Sequence, residues 1–171
     1  METKVTSPAI KGLIISLILV VVSTIIYILK METNKSLSIV SIAIFWGGLI
    51  WSVITFAKQN DGNVTFGNCF GHGFKITAIV AAVMGLWLAL SLGLIFPDAL
   101  DRAMEVQRQA MEAQGKLSEA EIDKYMTTGK KLALPMGTIV STIFNLILGA
   151  FGSLIGAAAA KKNPTPQTPF Q

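Results

Sequence analysis

Four long apolar runs, none with a Lys, Arg, Asp or Glu between its flanks, restrict this chain more than any other feature. They occupy residues 12–29, 37–57, 76–96 and 132–160. A helix of about 20 residues rises roughly 30 Å, the thickness of a bilayer's hydrocarbon core, so each run is long enough to cross one. The first holds thirteen Leu, Ile or Val in eighteen positions. These contribute roughly 4–8 kcal/mol toward insertion, more than Ser16, Ser23 and Thr24 oppose. Eighteen apolar residues exceed the core of a cleaved signal peptide, and the following Ile-Leu-Lys-Met-Glu lacks a small-x-small cleavage site. A soluble domain is excluded on similar grounds, because 52% hydrophobic and 14% charged residues leave an apolar excess that has to face lipid. The expected fold class is all-α: an integral membrane four-helix transmembrane protein, one domain over residues 1–171, with spans near 12–29, 37–57, 76–96 and 135–157.

Between the third and fourth runs lies the one long stretch that water can dissolve. Residues 97–131 carry thirteen of the twenty-four charged side chains. Asp98 with Arg102 and Glu112 with Lys116 stand at i,i+4 with the acid first, and Leu100, Met104 and Met111 form a thin apolar stripe. Gly115 interrupts this pattern, and Ser118 with Glu121 has the spacing of a capping box that restarts a helix, with Ile122, Tyr125 and Met126 on its buried side. An extramembrane helical insert is therefore expected over 97–131. Residues 30–36 and 58–63 read as short polar connections, and the tail 161–171, with three prolines, reads as disordered.

Small residues recur at helical spacing in two places. In Thr65-Phe66-Gly67-Asn68-Cys69-Phe70-Gly71-His72-Gly73-Phe74, the residues Gly67 and Gly71 form a bare stripe beside Phe66, Phe70 and Phe74. In the fourth run Gly149, Gly152, Ser153, Gly156 and Ala160 offer a face for close helix crossing. Both rows are candidate packing surfaces. Gly47 and Gly48, between Trp46 and Trp51, also allow a backbone to approach. Pro135 suits a first helical turn and places the start of the fourth span there. Asn145 is that span's lone amide, expected either to bond another helix or to face a wet crevice. Cys69 and His72 stand at i,i+3, but one Cys and one His do not complete a four-ligand site, so no metal, cofactor or catalytic residue is assigned.

The order of these parts resembles a known family. Four spans, the Thr-Phe-Gly-x-x-Phe-x-x-Gly-Phe pattern at 65–74, Phe96-Pro97-Asp98, the insert containing Gly-Lys-Leu-Ser-Glu-Ala-Glu at 115–121 and a Pro-led fourth span are similar to the small bacterial membrane proteins catalogued as domain of unknown function 4199. The resemblance implies a four-helix bacterial membrane protein without an established activity, and the expected location is the bacterial inner membrane. It carries over no catalytic residues.

Function is accordingly read from topology and packing. The formal charge of +4 comes from short basic flanks, which suits anionic lipid head groups and argues against nucleic acid as a partner. The expectation is a non-catalytic protein that associates through small-residue faces with itself or another membrane component; the alternative is a transporter or channel for an uncharged solute. Ion paths and proton relays normally need an ionisable residue inside the spans, and no Gly-x-Ser-x-Gly or His-Glu-x-x-His motif is present. Both termini are expected in the cytoplasm. Their side holds six Lys against two acids, whereas the insert side holds eight basic and eight acidic residues. Counted by Lys and Arg alone the rule points the other way, but the insert's basic residues stand opposite acids along a helix.

Overall fold

A computed structural model describes residues 5–163. Five helices follow one another: α1 (Pro8–Ile28), α2 (Lys35–Gln59), α3 (Phe66–Leu90), α4 (Pro97–Gln114) and α5 (Glu119–Ala159), with a π-helical turn at Ser91–Ile95 closing α3. The helices α1, α2, α3 and α5 are each long and apolar enough to cross a membrane. The architecture is the expected all-α membrane bundle, and α3 packs most extensively along α5 and next along α1.

Local chemistry explains each helix start. Ser7 caps α1 ahead of Pro8, whose fixed φ and missing N–H suit a first turn. Asn34 caps α2 through Ser36 N. At α3, Thr65 and Asn68 cap each other reciprocally, so the helix begins at Phe66 and not at the apolar boundary near Ile76. The Gly- and Phe-rich segment is thus the first turns of the third helix itself. Ser118 and Glu121 form the expected capping box at α5, and Gly115, at φ 61°, is the left-handed residue that ends α4.

The fourth apolar helix is longer than its span. Pro135 lies inside a continuous helix of 41 residues and not in a first turn. Its missing N–H deprives the Lys131 carbonyl of a donor, but Lys131 is exposed and water can serve that oxygen. At 1.5 Å per residue α5 is about 62 Å long, roughly twice a hydrocarbon core, so its N-terminal part stands outside the membrane. There it pairs with α4 as a helical hairpin. Arg108 reaches Asp123 at 3.0 Å and Lys130 reaches Asp101 at 2.6 Å, while Ile122, only 2% exposed, supplies the buried anchor. Tyr125, expected on that buried side, is exposed.

The bundle core runs in two layers. Ile15 and Leu19 of α1, Phe45 and Leu49 of α2, and Ile76 and Val80 of α3 form the middle layer. Val53, Ala57, Val64, Cys69, Ala157 and Ala160 form a second near the terminal end. Leu13, Leu17, Ile39, Leu86, Phe144 and Phe151 point outward, as a lipid-facing surface requires. The tryptophans divide: Trp46 turns inward and its Nε1 donates to Leu148 O at 3.1 Å, whereas Trp51 is exposed. The proposed tail 161–171 lies outside the described residues beyond Asn163; up to there, Asn163 N donates to Gly62 O in the α2–α3 turn.

Candidate functional site

The glycines of α5 sit where helices come closest. A Cβ built on Gly149 would lie 2.2 Å from Thr77 Cγ2 on α3, one on Gly152 would lie 3.0 Å from Leu49 Cδ2, and one on Gly156 would lie 3.1 Å from Val53 Cβ and 3.3 Å from Ile50 Cα on α2. All three glycines are buried within this chain's own bundle. That face is therefore already occupied and cannot receive a second protein. Thr77 and Ser153, both fully buried, meet across the α3–α5 seam with their hydroxyls 3.5 Å apart, and Ser153 also donates to Gly149 O. Gly73 and Gly85 belong to the same seam, with a Cβ 2.8 Å from Ser153 Oγ and 2.5 Å from Thr142 Oγ1 respectively.

Gly67 and Gly71 do not pack against another helix. A Cβ on Gly71 meets nothing within 4 Å, and one on Gly67 meets only its own cap residue Thr65. The two instead line an open crevice of about 460 Å³ at the terminal end, between residues 5–8 and the first turns of α3. Cys69 and His72, one turn apart, both serve packing at the terminal end. Cys69 is buried in the terminal core layer, and His72 stacks on Phe56 with ring centroids 4.1 Å apart.

Asn145 bonds within its own helix, its amide donating to Ser141 O at 2.8 Å and to Ser141 Oγ at 3.4 Å. Asn145 lines a cavity of about 290 Å³ with Ser23, Ser38 and Ser41 among mainly apolar neighbours. At this cavity's outer wall Glu32, in the α1–α2 connection, pairs with Arg102 of α4 at 2.6 Å. This pair ties the insert to the bundle. Arg102 also binds Asp98, and that hydrogen bond holds the Asp98 carboxyl below its ordinary range.

Sequence reasoning passed over two functional candidates. Lys11, read as a flank, lies in the first turns of α1 at 5% exposure and donates from Nζ to Ser52 O at 3.1 Å. Its position one turn after a Ser-Pro helix start was the available signal. Glu32 looked like one charge among several in a turn, and only the return of α4 over that turn gives it a partner.

Four apolar helices around a buried seam, with a charged hairpin outside them, define a multi-pass helical membrane protein. The model of the family described as Protein of unknown function (DUF4199) matches residues 11–162, and the chain belongs to that family. No curated protein and no solved structure matches it.

Proposed function

We propose that this is a non-catalytic multi-pass protein of the bacterial inner membrane that associates, with itself or with another membrane component, through the outer face of α2. The observation that carries this reading is Gly47. A Cβ there meets nothing within 4 Å, whereas its neighbour Gly48 faces inward with a Cβ 3.1 Å from Ile15 Cγ1. Ala43, one turn before Gly47, and Trp51, one turn after, are also exposed. A second backbone can approach such a strip closely and pack against the indole. Gly47→Leu should abolish any larger species in mild detergent while leaving thermal stability unchanged, because the site is empty within the chain. Unchanged oligomer size and unchanged co-purifying partners would remove the reading.

The cavity at Asn145 favours a second reading, passage or binding of an uncharged solute. Between this cavity and the terminal-end crevice stand Leu49, Ile76 and Val80, each at 0% exposure, so passage requires the core to part. A tightly held small solute released from the purified protein on denaturation would favour this reading over association.

The orientation we propose puts both termini in the cytoplasm and the α4–α5 hairpin outside. Cys69 is fully buried and would not report it, and Gly115 at φ 61° is a strained place for a new cysteine. Exposed Gln114 and Asn163 serve better, in a Cys69→Ala background. A membrane-impermeant thiol reagent on spheroplasts should label Gln114→Cys and spare Asn163→Cys. The reverse pattern inverts the topology.

A further inference from the structure

The crevice between residues 5–8 and the first turns of α3 is a constructed feature. Thr6 N donates to Gln59 Oε1 and Gln59 Nε2 donates to Thr6 Oγ1, both at 3.2 Å, which holds the segment before α1 against the end of α2 and opens a gap beside α3. Gly67 and Gly71 leave the α3 side of that gap bare. A side chain at position 71 would fill it, and nothing in the packing of the bundle demands glycine there.

The polar groups that line this gap suit an anion. Lys75 and His72 line it together with Asn68, Thr6 and Ser7, and no Asp or Glu is among the described lining residues. His72 is 6% exposed, and its buried Nε2 has no hydrogen-bond partner. Lys11 stands one turn along α1 from Ser7, whose carbonyl accepts from Lys11 N, and no carboxylate among the described residues pairs with its buried ammonium. A buried charge without a counter-ion is costly, and an anion seated in the adjoining crevice would offset it. The N-terminal end of α1 opens on the same gap and adds its positive dipole end.

We propose that this crevice binds the phosphate of an anionic phospholipid head group, with Lys75 and His72 as polar wall, Gly67 and Gly71 as floor, and Lys11 as the charge behind. The location selects a lipid over free phosphate. Lys75 is exposed where the apolar part of α3 begins, the level at which lysines of spanning helices meet head groups. Leading from Pro8 toward the mid-plane, Ile10, Leu13, Ile14 and Leu17 are all exposed and offer an apolar track for acyl chains. About 460 Å³ accommodates a glycerol-phosphate group.

The test uses the full chain in neutral detergent, mixed in turn with dioleoyl phosphatidylglycerol, with dioleoyl phosphatidylcholine, and with inorganic phosphate alone. Native mass spectrometry reads retained lipid and thermal unfolding reads stabilisation. Phosphatidylglycerol should be retained about tenfold better than phosphatidylcholine and should raise Tm, while phosphate alone does neither. Gly71→Leu fills open space and Lys75→Gln changes an exposed side chain, so both should fold with an unchanged lipid-free Tm and lose about tenfold in phosphatidylglycerol retention. If Gly71→Leu proves unstable, Lys75→Gln decides. Equal retention of the two lipids, or wild-type retention in Lys75→Gln, overturns the site. Full stabilisation by inorganic phosphate overturns the lipid assignment in favour of a free anion. Gly47→Leu should retain lipid normally, which separates this site from the association face on α2.

Discussion

Replacing Gly149 by Leu is expected to leave no recoverable folded bundle, and replacing it by Ala to cost about 3 kcal/mol, the upper part of the range for overpacked cores. The first added carbon would fall 2.2 Å from Thr77 Cγ2, 2.4 Å from Oγ1 and 2.8 Å from Cβ. Three atoms of one side chain obstruct it. Thr77 cannot turn away cheaply, because rotation about χ1 leaves its Cβ 2.8 Å from the added carbon and the side chain is fully buried against Ser153. The helices would have to separate instead, and α3 against α5 is the most extensive helix contact among the described residues. Thermal unfolding in detergent measures the loss, and Thr77→Ala combined with Gly149→Ala should recover much of it by removing the obstructing atoms. Gly71→Ala provides the contrast: with nothing within 4 Å and up to about 1 kcal/mol of helix propensity to gain, it should be neutral or stabilising. Equal losses at positions 149 and 71 would mean that the seam does not discriminate between them.

That contrast also marks how far the sequence could be read. Gly67 and Gly71 have the same four-residue spacing as Gly152 and Gly156, yet only the second pair has another helix against it. Periodicity shows that a face is bare; whether a neighbour stands opposite depends on where the other helices end, which no local pattern contains. Gly73 and Gly85 have no second glycine four residues away, so spacing does not single them out as packing positions, although both lie in the seam. Caps were more legible. Ser118 with Glu121 and the left-handed Gly115 depend only on residues within one turn, and both are where the sequence indicates. Thr65 with Asn68 uses the same device with an amide, and the helical spacing of glycines and phenylalanines behind it runs on into the third span. Pro135 is not in a first turn: a proline's preference for first turns is a statistical tendency, and an exposed carbonyl four residues earlier lets it sit inside α5. Lys11 and Glu32 needed tertiary contacts from α2 and α4, with sequence separations of 41 and 70 residues.

Changing Ile122 to Asp should release the hairpin while the spans stay folded. The ion pairs Arg108–Asp123 and Lys130–Asp101 join partners that are 38% or more exposed at the side chain, and exposed pairs contribute roughly 0.2–1 kcal/mol each. Together they supply at most about 2 kcal/mol. Ile122 at 2% exposure is the one buried large side chain of the extramembrane part of α5, and Leu100, Met104, Met111 and Met126 are half-buried along the same hairpin. A carboxylate in its place loses the apolar contact and is desolvated without a partner, a cost of several kcal/mol that the exposed pairs cannot offset. Amide exchange in α4 should accelerate roughly 100-fold, equivalent to about 2.7 kcal/mol, while exchange in α1, α2 and the membrane half of α5 stays near its original rate. Raising salt to about 1 M in the unmodified protein screens the surface pairs and should speed α4 exchange only a few-fold. Protection retained in α4 after Ile122→Asp would show that the ion pairs hold the hairpin. Loss of protection through the spans as well would show that the hairpin and the bundle unfold as one unit.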